Sequence, residues 1–289
     1  MTEMPSIQWF PGHMAKTRRL IRESLSLVDC VAEVLDARIP ISSRNPEFDA
    51  LCAGKPRVLV LNKSDLADAQ ATKSWLAAFR AEGLCAIAVD CKSGAGIKEF
   101  VPAVRELLSE RLERLKAKGM SGKALRVMVA GIPNSGKSTF INRIAGAKYA
   151  KAEDRPGVTR GRQWISIGLG LELLDMPGIL WPKFENAAVG EHLAFTGAIK
   201  DDILDTELLA ARLCEELAKN YASMLSVRYK LSGELPTQGG QLLEMIGKHR
   251  GMLAAGGRVD TERAAAVLLD EFRGGILGRI TLERSTKGS

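Results

Sequence analysis

Five short apolar runs punctuate the first two-thirds of the chain: residues 28–36 (VDCVAEVLD), 57–61 (RVLVL), 85–89 (CAIAV), 125–130 (LRVMVA) and 171–174 (LELL). Each stops just before a polar or Gly-rich cluster, and stretches with helical periodicity, such as 68–82 and 97–117, lie between several of them. Near-continuous apolar strands alternating with helices predict an α/β fold, a doubly wound and mostly parallel sheet covered on both faces. Ligands of such sheets sit at the carboxyl ends of the strands. The polar, Gly-containing stretch 116–123 (KAKGMSGK) reads as an exposed connection between two halves of the sheet domain.

Beyond about residue 185 the period changes from strand to helix. Asp205 suits an N-cap for a helix carrying Leu209, Leu213 and Leu217, and Leu242, Leu243 and Ile246 mark a second. Asp260 caps a third, with Ala264, Val267, Leu268 and Phe272 on one face. These stripes read as core. The expected organisation is a sheet domain over 1–184 and a small all-α domain over 185–289.

No apolar run approaches the ~20 residues that span a bilayer. The five cysteines are scattered, odd in number and without a CxxC pair, which suits a reduced, cytoplasmic protein rather than a disulfide frame or a metal site. A monomer is expected. The net charge is +7, and it is unevenly spread: residues 1–189 hold 28 basic and 20 acidic side chains, residues 190–289 hold 13 and 14. The excess concentrates at Lys16–Arg22 and at Arg143–Arg162, which suits either an anionic partner or a solvated basic surface.

The sharpest chemical signal is Gly131-Ile-Pro-Asn-Ser-Gly-Lys-Ser138, which fits GxxxxGK[ST] between an apolar strand and a helical stretch. Its glycines let backbone N–H groups close around phosphate oxygens at a helix N-terminus. The loop residues Asn134, Ser135, Gly136 and Thr139 belong to that cradle. Lys137 is expected on the β- and γ-phosphates and Ser138 on Mg²⁺. Asp175-Met-Pro-Gly178 follows the strand 171–174, 38 residues after Lys137. Asp175 there suits a water-mediated Mg²⁺ ligand, with the Gly178 N–H facing the γ-phosphate. Thr159, between the two motifs, is the candidate switch threonine for Mg²⁺ and the γ-phosphate.

Base identity is read from Asn62-Lys-Ser-Asp65, directly after the strand 57–61. A buried carboxylate at Asp65 accepts from guanine N1–H and its 2-amino group, which adenine cannot match. Asn62 would bond the guanine edge or brace the phosphate loop, and the Lys63 stem would cover the base. Asp90-Cys91-Lys92 after the strand 85–89 occupies the place of a further base-contact loop, for which only a backbone contact from Cys91 is expected. These motifs come in an unusual order, with the base motif about 70 residues before the phosphate loop. A circular permutation gives one complete site, because all the loops lie at one edge of a parallel sheet; a truncated copy before a second one would give two half-sites.

After DMPG, where many GTPases carry a water-orienting glutamine, the chain has Ile179 and Leu180. Slow intrinsic hydrolysis is therefore expected. Asn134 is either an oxygen ligand for a monovalent cation such as K⁺ or a turn-stabilising residue.

The order NKSD, P-loop, DMPG, together with Trp9-Phe-Pro-Gly-His-Met14 and the EVLDARIP segment at 33–40, resembles the ribosome biogenesis GTPase A family of circularly permuted GTPases. The resemblance implies a GTPase that binds a late precursor of the large ribosomal subunit and its rRNA, is stimulated by it and leaves after hydrolysis. It implies a catalytic role for His13 and rRNA contact by the helical domain, although that domain's own charge is slightly negative. The alternative that the residues leave open is a GTP-dependent RNA- or protein-binding switch with negligible turnover, unconnected to the ribosome.

Overall fold

The computed structural model describes residues 13–120, 122–146, 163–168, 170–181, 184 and 186–285, with side chains from Arg18 onward. Its elements run α1 (His13–Leu25), β1 (Cys30–Asp36), α2 (Glu47–Leu51), β2 (Arg57–Asn62), α3 (Ala69–Ala81), β3 (Cys85–Ala88), α4 (Phe100–Leu107), α5 (Ser109–Ala117), β4 (Leu125–Ala130), α6 (Lys137–Ala145), β5 (Gln163–Ser166) and β6 (Leu171–Asp175), then α7 (Ala187–Phe195), α8 (Thr206–Asn220), α9 (Ala222–Tyr229), α10 (Gly239–His249) and α11 (Thr261–Gly274).

The six strands form one sheet in the order β3-β2-β1-β4-β6-β5. The first five are mutually parallel, and β5 pairs antiparallel with β6 at the edge. Burial on both faces explains why β1 reads as an apolar run: all seven of its residues are buried. One face packs on Phe100 and Val104 of α4 and Phe140 and Ile141 of α6, the two phenylalanines meeting edge-to-face at 5.0 Å. On the other face Ile21 and Leu25 of α1 and Phe48 of α2 cover Val31, Met128 and Leu174. Trp75, Ala78 and Phe79 of α3 cover Leu35, Leu59 and Leu61.

The helical residues form a second unit, Phe184–Leu282, divided from the sheet unit at Lys183. Three of its helices start at side-chain caps: Asn186, Asp205 and Asp260 accept from the N–H groups of Ala188, Leu208 and Arg263. Helix α8, with Leu209, Leu213 and Leu217 buried, packs on α10, where Leu242, Leu243 and Ile246 are buried, and on α11, where Leu268 and Phe272 are buried. Gly239 lets α10 approach closely, since a Cβ there would lie 1.9 Å from the carbonyl oxygen of Ala211. The all-α expectation for this part of the chain holds, but the described chain end, residues 283–285, belongs with the sheet unit.

Three features depart from the sequence expectation. β5 lies at the sheet edge with only Ile165 buried, so it lacks an apolar run. The helical stretch 97–117 is split at Leu108 into α4 and an α5 with no buried residue. Helix α1, whose mean polarity hides its apolar stripe, was not anticipated.

Glu33, in the middle of β1, is fully buried, with Arg57 3.3 Å away and one carboxylate oxygen unpartnered. Burial raises its pKa to about 7, against the lowering influence of Arg57 and Arg44. The folded protein therefore binds a proton that the unfolded chain has lost between about pH 4.5 and 7. Glu33 contributes stability that is present below that window and lost as pH rises through it. Relative to Glu33→Gln, the wild-type protein should gain about 2 kcal/mol from pH 8 to pH 5.5, a relative melting shift of about 5 °C. Parallel melting curves of the two proteins across this range would contradict the assignment.

Candidate functional site

Because five strands are parallel, their carboxyl ends share one edge, and each of the expected motif loops whose residues are described leaves from it. The register aligns Asp36 at the end of β1 with Asn62 at the end of β2, and Val129 of β4 with Asp175 of β6. The permuted order in sequence thus closes into one site in space.

The phosphate loop turns on two glycines. Gly131 has φ +149°, and a Cβ there would come 2.4 Å from the Val34 carbonyl oxygen; Gly136 has φ +89°, and a Cβ would come 2.2 Å from Asn62 Nδ2. Asn134 also has positive φ, +56°, a left-handed conformation that asparagine tolerates better than most residues. Ser135 is fully buried, its hydroxyl donating to the Ile132 carbonyl at 3.0 Å. Lys137 is buried at the start of α6, its ammonium donating to the same carbonyl at 2.7 Å. Next to it, Ser138 is half-buried and Thr139 exposed on the first turn of the helix.

The DMPG loop lies against the phosphate loop. The Ile179 N–H donates to the Gly131 carbonyl at 3.2 Å, and a Cβ on Gly178 would sit 3.0 Å from Lys137 Nζ. Asp175 is 1% exposed, and its Oδ1 has no hydrogen-bond partner. Burial raises its carboxyl above the usual carboxylate range, with the Lys137 ammonium pulling the other way. Burial likewise lowers Lys137 below the usual lysine range, which Asp175 opposes. A desolvated lysine facing a desolvated, unpartnered carboxylate oxygen is an arrangement for holding a polyanion and a hard cation. Ser138 and Asp175 fit Mg²⁺ on that ground. Ile179 and Leu180 point the other way: both are buried, and Ile179 packs with Ile21, Leu25, Met128 and Met176. Neither can orient water.

The Asn62–Asp65 loop is tied to the phosphate loop by two hydrogen bonds, Asn62 Nδ2 to the Ser135 carbonyl at 2.8 Å and Lys63 Nζ to the Asn134 carbonyl at 2.6 Å. Lys63 itself adopts φ +59°. The Ser64 N–H donates to the Val89 carbonyl, which fixes the loop to the end of β3. Asp65, expected to be buried, is half-exposed, because it stands on the rim of the turn rather than beneath it. Beside it the Cys91 thiol is buried; burial first, then Asp90 and Asp65, against the lowering influence of Arg143, push its pKa up to about 12, so it is not a nucleophile. Asp90 shapes this loop by accepting from the N–H groups of Lys92 and Ser93. His13 is the first residue of α1, and its side chain lies outside the described residues, as does Thr159 altogether.

Relatives match the chain over most of their length. A protein of Bacillus cereus named "Ribosome biogenesis GTPase A" is 48% identical over 277 residues, covering 96% of this chain and 93% of the relative. The chain belongs to the ribosome biogenesis GTPase A family. A family model described as "50S ribosome-binding GTPase" also matches residues 126–223 of this GTPase. The solved "GDP-bound structue of TM YlqF" is 27% identical, with a TM-score of 0.64 over 91% of this chain and 98% of that one. A mouse protein named "Mitochondrial ribosome-associated GTPase 1" is 35% identical, covering 96% of this chain and 90% of the relative. The GTPase therefore binds GTP and GDP and hydrolyses GTP, on a six-stranded, mostly parallel sheet followed by helices.

One group of site residues was missed from sequence. Asp36 and Arg38, in the segment that carries the family resemblance, form a buried ion pair that reaches Lys63. The signal available was a strand ending in Asp-x-Arg one step from the base motif.

Proposed function

We propose that this GTPase is an assembly factor for the large ribosomal subunit: it binds a late precursor and its rRNA, is stimulated there and leaves after hydrolysis. The observation that carries the reading is the site's missing group. Lys137, Ser138 and Asp175 converge, yet Ile179 and Leu180 are buried apolar residues where a water-orienting side chain would serve. A site whose described residues offer no water-orienting side chain after DMPG turns over when further groups, His13 and the partner, complete it. The names of its relatives point to the ribosome as that partner.

In this reading Lys137 contacts the β- and γ-phosphates, while Asn134, Ser135, Gly136, Thr139 and Gly178 supply backbone or side-chain contacts around them. Ser138, Thr159 and Asp175 hold Mg²⁺, which when bound neutralises charge on the reacting phosphates. Asn62, Lys63, Asp65 and the backbone at Cys91 read guanine. His13 assists the attacking water. Asn134 at the rim of the phosphate loop serves as an oxygen ligand for K⁺. The protein acts in the cytoplasm as a monomer; its five cysteines are free, and among the described residues no helix is long and apolar enough to cross a membrane.

The test is GTP hydrolysis at fixed Mg²⁺, with and without large subunits, in K⁺ and in Na⁺. The expected result is stimulation by subunits of about 10-fold or more, greater in K⁺, since supplying a missing transition-state contact is worth that much or more. Turnover indifferent to subunits would remove the ribosomal reading. Equal rates in the two salts would reduce Asn134 to a turn residue, which its left-handed backbone already explains.

A further inference from the structure

The buried pair at the end of β1 has a function that the nucleotide contacts do not exhaust. Asp36 is 1% and Arg38 1% exposed, and Arg38 grips the carboxylate from Nε at 2.9 Å and from a terminal nitrogen at 2.7 Å. The Arg38 N–H adds a third hydrogen bond to Asp36 Oδ1. The second oxygen, Oδ2, lies 3.1 Å from Lys63 Nζ. That ammonium in turn donates to the Asn134 carbonyl of the phosphate loop. Burial alone would raise the Asp36 carboxyl, but the Arg38 and Lys63 charges and the Arg38 hydrogen bonds hold it well below the usual carboxylate range. Those contacts favour the charged carboxylate.

The segment that carries this charge is itself pinned. The Asp36 N–H donates to Ser43 Oγ at 3.1 Å. Ile41 and Ser42 donate their N–H groups to the Glu283 carboxylate at 2.6 and 2.9 Å, and the Ser42 hydroxyl donates to it as well. Trp75 Nε1 donates to the Glu283 carbonyl at 3.0 Å, and Arg284 lies 3.6 Å from Asp68. The chain end thus latches the loop that follows β1 onto the sheet unit.

We propose that Asp36 is a positioning residue for guanine-nucleotide binding: it holds the Lys63 ammonium between the base loop and the phosphate loop, and Glu283 locks the loop that presents it. Lys63 sits on a left-handed backbone at the start of a tight turn, so its long side chain would otherwise sample many rotamers. A fixed counter-charge removes that freedom before nucleotide arrives, and the same ammonium joins the two loops that must close on one ligand. The assignment rests on reading Asn62–Asp65 as the base-binding loop.

The test is a double-mutant cycle on GDP affinity in the full chain, with Asp36→Asn and Lys63→Gln alone and together. Asp36→Asn should weaken GDP about 10-fold in the wild-type background and less than twofold in the Lys63→Gln background, since coupled residues are non-additive. KM for GTP should rise while kcat at saturation stays within about twofold, because the lost interaction serves binding rather than chemistry. If Lys63→Gln itself leaves GDP affinity unchanged, the base-loop reading fails. If Lys63→Gln weakens GDP and Asp36→Asn does not, or if the two effects simply add, Asp36 only supports the fold and the proposal falls. Should Asp36→Asn not fold, Glu283→Ala takes its place in the cycle. It should weaken GDP about threefold and only when Lys63 is present, and additive effects again overturn the proposal.

Discussion

Asp65→Asn should lower affinity for GTP by about 10³-fold or more and create affinity for xanthosine triphosphate where the wild-type protein has little. The carboxylate offers two acceptors to guanine, matching N1–H and the 2-amino group. An amide in its place offers one acceptor and one donor, and the donor faces the 2-amino group. Two donors forced together leave both unsatisfied, which is costly once the bound base keeps water from them. Xanthine carries an oxygen in place of that amino group, so the same amide pairs with it completely. Asp65 stands half-exposed on the turn after β2 and, among the described residues, joins no ion pair, so the substitution should leave the fold intact. Titration of both triphosphates into wild-type and variant protein gives the answer directly. GTP binding to the variant within tenfold of wild type would show that guanine is read elsewhere.

Lys137→Ala should reduce GTP turnover by about 10³-fold or more, whether or not subunits are present, because a preorganised charge at the phosphates is worth several kcal/mol in a site shielded from water. Its position makes this a demanding residue. The ammonium is held by the Ile132 carbonyl at 2.7 Å inside the loop it serves, and burial has already stripped its water. Lys137→Arg should fare little better. The DMPG loop presses so closely that even a Cβ on Gly178 would approach Nζ to 3.0 Å, which leaves no room for a planar guanidinium. Single-turnover hydrolysis with saturating GTP and Mg²⁺ measures both variants. A rate for either within tenfold of wild type would take the phosphate role away from Lys137.

Much of this molecule is written locally. Buried parallel strands need apolar residues on both faces, so β1, β2, β4 and β6 declare themselves by composition. Phosphate and guanine contacts require particular residues at fixed spacing on one short loop, so Gly131–Ser138 and Asn62–Asp65 are legible without any fold. Caps are local too, and Asp205 and Asp260 cap the helices they were expected to cap. Elements whose burial comes from one side only were harder to find. β5 has a single buried position, and the apolar face of α1 is diluted by arginines on the other.

By itself the sequence determined the fold class, the GTPase family and, from the order of its motifs, the permutation. Tertiary structure alone decided that Ile179 turns into the core, that Asp175 is left with an unpartnered oxygen and that Asp65 stands on the rim rather than below it. It also decided contacts between segments distant in sequence: Asp36 on Lys63, 27 residues apart, and Glu283 on Ile41 and Ser42, more than 240 apart. Periodicity and motif spacing report what a residue does within its own turn or strand. Which charge neutralises which is settled only when strand register and chain crossings bring distant segments to the same few ångströms.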